Sequence, residues 1–424
     1  MLTSRRMLSL LLAAAAVIAI LSGCYAAPVN EATEQGGETS GAIVTDSKIP
    51  VTTYPVPEEN IRTFGNMAAS ASTGGFWQWD TFFRPYIQAY DPVTRTTYIP
   101  CYQSGCRHND LTCNACFGDV ESLVEYRENY YAMVYTDDET ASALVTRPLS
   151  GGPLQTLASW EPENENESCR CALRCVSFGK AYVIANRETY ALTEDGQLTT
   201  AAQESSLVSV DLQTGEISTI LENCDNYDLY GVWEDIAVLR VLEMAEDAPE
   251  FEDWLAQQPE GTAWDEYDQQ FVRYRFLTRN LQTGEESVLV DTSENFVMTV
   301  DPHRSWGQYA VYQVDSSLYV YDLEKQAAKK LFTYEQNWDY YNYMILDGHV
   351  IAVCGTEDIC RVRAINIADG TVTELTTLSG RGMAFSIEYE CNGYFVGLMD
   401  SDEVAQYYIS KEDFYRSNYD GAFR

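Results

Sequence analysis

The chain has 424 residues, with 27 basic against 64 acidic side chains for a formal net charge of −37, and 46% of its residues are hydrophobic, enough to bury a sizeable core. A surface this negative repels nucleic acid and anionic lipid headgroups, which argues against DNA, RNA or a bare membrane surface as partners. Two or more domains are usual at this length, unless a repeat fold carries one unit that far.

Arg5 and Arg6 form a short positive region, and the apolar run Met7 to Leu21 follows and ends at Leu21-Ser22-Gly23-Cys24. That order reads as a lipoprotein signal peptide over residues 1–23. The thiol of Cys24 would take the diacylglyceryl group, and Cys24 would become the new N-terminus. The run is about 15 residues long, too short for a hydrocarbon core, which takes about 20. Ser4-Arg5-Arg6 lacks the Phe-Leu expected after a twin arginine, so general secretion is the expected route. Acyl chains on Cys24, palmitate among them, contribute about 0.8 kcal/mol per buried methylene and would hold the protein at the extracytoplasmic face of the cell membrane. Loss of residues 1–23 removes two arginines and no acid, leaving 25 basic and 64 acidic side chains and a net charge of −39.

Residues 24–60 combine the lipidated Cys24 with Pro28, Gly36, Gly37, Gly41, Pro50, Pro55 and Pro57 among Glu, Thr and Ser, without apolar periodicity. This composition predicts a flexible tether. A first ordered strand is expected from about Ile49.

Over 61–424 one unit recurs: a short apolar strand, a polar turn and a second strand. The clearest copies are LVSVDLQTGEISTIL (207–221), FLTRNLQTGEESVLV (276–290), LYVYDLEKQAAKKLF (318–332) and VRAINIADGTVTELT (362–376). Weaker copies are PYIQAYDPVTRTTYI (85–99), ALVTRPLSGGPLQTL (143–157) and AQYYISKEDFY (405–415). Aligned on the residue that opens the turn, the last four fall at Asn280, Asp322, Asn366 and Ser410, spacings of 42, 44 and 44. Alternating β-branched and aromatic residues before Asp or Asn with Thr-Gly or Asp-Gly are what an antiparallel hairpin requires. Each copy is preceded by a further apolar pair, such as YMILDGHVIAVCG before Asn366. Four strands per period of about 40 to 45 residues mark a propeller blade. The expected fold is therefore an all-β propeller of four-stranded antiparallel blades, seven from the seven copies, with six or eight as alternatives.

In such a meander the second-to-third-strand turns and the links between blades leave on one face. The Cys-rich segment 101–116, the segment 161–171 and an insertion at about 243–270 are expected to share that face and to mark a functional surface. The insertion is acidic and spaces Phe251, Trp254, Leu255, Trp264 and Tyr267 as short amphipathic helices do. Phe251, Trp254, Trp264 and Tyr267 form a candidate binding face, against the alternative that they pack onto the sheets.

The most specific local pattern is CYQSGCRHNDLTCNACF, with Cys101, Cys106, His108, Cys113 and Cys116. Three thiolates and one imidazole match a structural zinc set, although the spacing is not that of a zinc finger. The competing reading is disulfides, natural outside the cytoplasm, with Cys169, Cys171 and Cys175 on the next loop as partners and a further pair at Cys354 and Cys360. Twelve cysteines less Cys24 leave eleven, an odd number, so disulfides within one chain cannot use them all.

Read as Cys-x4-Cys-x-His-x4-Cys behind the first blade of a lipobox-bearing repeat protein, this motif resembles that of clostridial propeller lipoproteins of unknown function. The repeats also resemble those of TolB-like propellers. The resemblance covers most of the chain and implies a surface lipoprotein with a propeller ectodomain and no established reaction. Cys101, Cys106, His108 and Cys113 stand at the matching positions, and Cys116 is additional.

Catalytic signatures are missing from the sequence. There is no G-x-S-x-G elbow, P-loop, EF-hand loop or H-E-x-x-H, and the three histidines are His108, His303 and His349. TEDGQLT (193–199) is better read as a hairpin turn than as an Asp-box. The expected function is a non-catalytic module binding a protein or glycan. The alternative is an extracellular carbohydrate-active or metal-assisted enzyme using a carboxylate-lined propeller face.

Overall fold

The computed structural model describes residues 86–91, 93–136, 138–193, 198–258, 264–291, 309–314, 316–334, 340–355, 359–379, 385–391, 393–399 and 405–422, with short strands at 43–44, 60–62, 67–69 and 76–78. Cys24 and the whole of 1–42 lie outside the described residues.

Two short strands come first, β1 (Ile43–Val44) and β2 (Asn60–Arg62). Seven antiparallel sheets then follow along the chain among the described residues, each a meander of consecutive strands. Sheet 1 holds β3 (Met67–Ala69), β4 (Phe76–Gln78), β5 (Gln88–Asp91) and β6 (Thr96–Tyr98). Sheet 2 holds β7 (Asp119–Tyr126), β8 (Asn129–Tyr135), β9 (Ser142–Pro148) and β10 (Gln155–Trp160). Sheet 3 holds β11 (Glu167–Ser177), β12 (Lys180–Leu192), β13 (Leu198–Asp211) and β14 (Ile217–Glu222). Sheet 4 holds β15 (Tyr227–Trp233), β16 (Ile236–Met244), β17 (Val272–Asn280) and β18 (Glu286–Asp291), with α1 (Phe251–Leu255) and α2 (Trp264–Phe271) inserted between its second and third strands. Sheet 5 shows β19 (Tyr309–Val314), β20 (Ser317–Asp322) and β21 (Ala327–Thr333). Sheet 6 holds β22 (Tyr340–Leu346), β23 (His349–Gly355), β24 (Ile359–Asn366) and β25 (Val372–Ser379). Sheet 7 shows β26 (Phe385–Cys391), β27 (Tyr394–Met399) and β28 (Ala405–Ser410), and α3 (Lys411–Tyr415) follows it.

The recurring sequence unit is the outer hairpin of these sheets, and its turn explains its composition. Asp211 Oδ1 accepts the backbone N–H groups of Gln213 (2.9 Å) and Thr214 (2.8 Å), and Asn280 Oδ1 accepts those of Gln282 and Thr283 (2.9 Å each). Asp322 and Asn366 repeat the arrangement. A short side-chain acceptor at the opening position thus satisfies the donors of the turn. The closing residue is left-handed in each: Gly215 at φ 75°, Gly284 at 73°, Gln326 at 49° and Gly370 at 77°.

The seventh copy departs from the others. Where the rest place a second hairpin strand, Ser410 caps α3, its Oγ accepting from the Asp413 N–H at 3.0 Å. The capping pattern Ser-x-x-Asp outcompetes the strand. Phe414 and Tyr415 of this helix are buried against Phe395, Ile409 and Leu346. Lys411 donates to Asp347 (2.7 Å) and Tyr415 Oη donates to the other oxygen of the same carboxylate (2.6 Å). Lys411 and Asp347 have side chains 1% and 0% exposed, so α3 is fastened to the first turn of sheet 6 by a sealed ion pair.

Six apolar clusters alternate with the sheets among the described residues, one for each consecutive pair. Between sheets 2 and 3, for example, Val124, Met133 and Leu144 meet Leu173, Val183 and Val208. Between sheets 5 and 6, Val311, Leu318 and Val320 meet Tyr343, Ile345 and Val350. Covered on both faces, a middle strand such as β8 is buried along nearly its whole length instead of alternating. Each such aliphatic or aromatic side chain contributes about 1.5–3 kcal/mol on burial. The first strands of sheets 1 to 4 (β3, β7, β11, β15) lie side by side, and β26 of sheet 7 lies beside β3.

The segment expected as tether contains paired backbone. β1 lies parallel to β25, Ile43 opposite Val372, and β2 lies antiparallel to β11, Ile61 opposite Val176. Edge strands offer a row of unused N–H and C=O groups, and two or three residues of any composition satisfy part of it. β1 thus falls within the predicted tether, ahead of the strand expected near Ile49.

Candidate functional site

Residues 101–117 form a wedge between sheets 1 and 2, and its second half is core: Cys113, Ala115, Cys116 and Phe117 are buried with Ile87, Val120, Leu123, Tyr130 and Val145. Its first half, 101–112, is exposed or half-buried. Four apolar side chains at 113–117 gain more from the gap between the sheets than from solvent. Short turns fold the wedge. The Cys106 N–H donates to the Gln103 carbonyl (3.3 Å), that of Cys113 to Asp110 (3.0 Å) and that of Cys116 to Cys113 (3.1 Å). Asp110 Oδ1 accepts the Thr112 N–H at 2.9 Å, and the Thr112 N–H and hydroxyl together hold its carboxyl below the ordinary range.

These turns bring together the thiols of Cys101, Cys106 and Cys113 and the imidazole of His108, with all four donor atoms within 4.8 Å of one another. His108 Nδ1 lies 3.2 Å from Cys113 Sγ, and the Tyr86 ring packs against the imidazole at 5.9 Å. Backbone N–H groups point at two of the sulfurs, His108 at Cys106 Sγ (3.4 Å) and Ala115 at Cys113 Sγ (3.3 Å). Burial works to raise the Cys101 thiol, but the amides of Gln103 and Asn114 and the neighbouring thiols outweigh it and hold it below its usual value. Burial raises Cys113 and Cys116. Cys116, grouped with the other four in the sequence, is not one of the mutually close donors.

Arg147, near the end of β9, fastens the wedge. It is 0% exposed and donates to the carbonyls of Leu111 (2.7 Å), Cys116 (3.0 Å) and Cys113. Its guanidinium also lies over the Phe117 ring at 5.2 Å. Burial lowers its pKa, and the thiols of Cys113, Cys116 and Cys101 act in the opposite direction. Nothing in Thr146-Arg147-Pro148 distinguishes this arginine from an exposed strand residue, so sequence reasoning missed it.

The proposed disulfide partners lie elsewhere. Cys169, Cys171 and Cys175 belong to strand β11 and not to a loop, because the alternating ESCRCALRCVS pairs along its length with β12. Cys171 packs between sheets 2 and 3, and a register shift between Leu173 and Cys175 turns Cys175 into the next cluster with Cys224. Burial raises the Cys169 thiol and pushes that of Cys171 up to about 12. Cys101, Cys106, Cys113, Cys116, Cys169, Cys171 and Cys224 are unbridged. Cys354 and Cys360 lie in β23 and β24, where the register sets Cys354 opposite Arg361 and Cys360 opposite Gly355. Their side chains lie outside the described residues.

In the insertion, Trp254 and Tyr267 are buried at 6% and 2% exposure. Phe251, Trp254, Tyr267 and Phe271 stack into one aromatic group, with Trp254 and Tyr267 centroids 5.3 Å apart. The Tyr267 hydroxyl donates to the Pro249 carbonyl. The backbone of Trp264 opens α2, and its side chain is outside the described residues. Arg187 in β12 pairs with Glu163 (3.3 Å) and Glu167 (3.0 Å), and residues 194–197 lie outside the described residues.

No family model matches the chain, and no curated protein matches it. Among solved structures it is similar to an oligogalacturonate lyase in complex with manganese, at 15% identity over 84% of this chain and 83% of that one, with a TM-score of 0.40. It is also similar to the β-propeller domain of the trilobed protease from Pyrococcus furiosus (10% identity, 82% and 93% covered, TM-score 0.43). A third is TolB from Acinetobacter baumannii (11% identity, 83% and 77% covered, TM-score 0.33). The manganese and the lyase and protease activities belong to those proteins.

Proposed function

We propose that the chain is a lipid-anchored, extracytoplasmic β-propeller of seven blades that serves as a non-catalytic binding module for a protein or glycan. The observation that carries this reading is the order of the seven sheets: each is a meander, consecutive sheets share an apolar cluster, and the first strand of the last lies beside the first strand of the first. That order supports a closed ring. The Cys24 lipobox, with 1–23 as signal peptide and the residues after it as tether, supports anchoring. The net charge of −39 on the processed chain favours protein or glycan over nucleic acid. The Cys101, Cys106, His108 and Cys113 group favours a structural role over metal-assisted catalysis, because four protein donors leave no open position for substrate, whereas catalytic zinc keeps one.

Two measurements test the reading. Cells fed labelled palmitate should incorporate it into the wild-type chain and not into Cys24→Ala, with the wild-type protein sedimenting with membranes. The full chain in detergent should then bind immobilised glycans or envelope proteins saturably, without altering them. Turnover of a bound polysaccharide or peptide would place the chain among enzymes instead.

A further inference from the structure

We propose that Cys101, Cys106, His108 and Cys113 bind one zinc ion as a closed Cys3His tetrahedron that staples the wedge between sheets 1 and 2. The geometry comes first. Around a zinc ion with bonds of about 2.3 Å to sulfur, neighbouring donors stand roughly 3.8 Å apart, and a set within 4.8 Å needs only small side-chain shifts to reach that spacing. Three soft thiolates and an imidazole select a thiophilic tetrahedral cation over calcium or magnesium, which take oxygen donors. Nδ1 is the imidazole ligand atom, being the nitrogen that faces Cys113 Sγ. The N–H groups of His108 and Ala115 aimed at Cys106 and Cys113 are the supporting contacts that orient thiolates around a metal.

Charge supplies an independent observation. Arg147 is a fully buried cation whose hydrogen bonds go to the neutral carbonyls of Leu111, Cys113 and Cys116. A buried charge needs a partner of opposite sign. Zinc with three thiolates and a neutral imidazole carries a net charge of −1, placed beside that arginine. On binding, the three thiols lose their protons to solvent and no electron is transferred. Cys116 stays outside the coordination sphere as a buried thiol.

The test uses the full chain, purified in detergent under reducing conditions without chelator. Metal analysis should find one equivalent of zinc per chain. Cobalt exchanged for it should give the intense visible bands of a tetrahedral thiolate site, a readout that needs no variant. Cys106→Ser and His108→Ala should lower zinc affinity at least 100-fold, while Cys116→Ser retains the full equivalent. Arg147→Met should weaken binding by about 10–100-fold, as loss of supporting contacts does. The proposal is overturned if the wild-type chain holds no zinc and gives no cobalt bands, or if peptide mapping finds a disulfide among Cys101, Cys106 and Cys113. It also fails if Cys116→Ser loses zinc as completely as Cys106→Ser.

Discussion

Three turns of the same design offer a graded test of how the sheets are seated on one another. Gly215, Gly284 and Gly370 close equivalent hairpins at φ 75°, 73° and 77°, so an alanine at any of them meets the same left-handed strain, worth about 1–2 kcal/mol. What differs is the space beyond. A Cβ on Gly284 would approach nothing nearer than the flexible Arg279 guanidinium at 3.5 Å, one on Gly370 would stand 3.0 Å from the Leu331 carbonyl oxygen, and one on Gly215 only 2.3 Å from that of Leu157. Leu157 is in β10, so the last contact is backbone of one sheet against the turn of the next. Relieving such an overlap costs a further 1–3 kcal/mol or so. Gly284→Ala is therefore expected to destabilise by about 1–2 kcal/mol and Gly215→Ala by about 2–5 kcal/mol, with Gly370→Ala between them. Urea unfolding followed by tryptophan fluorescence measures the series as midpoint shifts at a common slope. If Gly215→Ala costs no more than Gly284→Ala, sheets 2 and 3 do not meet as described.

Three further outcomes are expected. Lys411→Met leaves the Asp347 carboxylate sealed without its cation and should lose about 3–5 kcal/mol in urea unfolding, much of it recovered when Asp347→Leu is added; additive losses would show that the pair is not a unit. Arg147→Met removes charged donors from the Leu111, Cys113 and Cys116 carbonyls and should cost about 3 kcal/mol or more, with faster proteolysis inside 101–117; unchanged cleavage there would contradict its fastening role. Glu121 in β7 has a sealed oxygen, Oε2, without a hydrogen-bond partner, and burial raises its pKa above 4.5. A carboxyl raised in the folded state holds its proton more tightly there, so it weakens the fold as pH rises through the raised value. Glu121→Gln should therefore stabilise at pH 7, the gain fading as pH falls through the raised value and gone by about pH 4.5, as thermal melts across pH would register; a gain independent of pH would exclude the ionisation.

The repeat was legible in the sequence because its turn depends on short-range chemistry. An Asp or Asn that caps two N–H groups and a residue tolerant of positive φ must recur wherever that hairpin does, and Asp211, Asn280, Asp322 and Asn366 supply it. The seventh copy broke the pattern through an equally local signal, Ser410 and Asp413, which was present but was outweighed by the apolar spacing of its neighbours. The resemblance had already set Cys101, Cys106, His108 and Cys113 apart from Cys116, but spacing alone allowed several fours among five candidates, and the fold brings those four donors together. Cys169, Cys171 and Cys175 were expected on a loop because 161–171 reads as a link between blades. Their position in a strand depends on pairing with β12, which no local pattern announces. Arg147 left no trace at all, because its partners are backbone carbonyls more than thirty residues away.

The Asp347 ion pair also imposes an order in time. Its lysine lies 64 residues further along the chain and so emerges after the carboxylate does. Through that interval the carboxylate has no cation, and the turn it belongs to is better left hydrated than closed. Sheet 6 can seal that turn only once the last sheet and its helix have arrived. A chain cut short before Lys411 would keep a loose, protease-sensitive corner at Asp347.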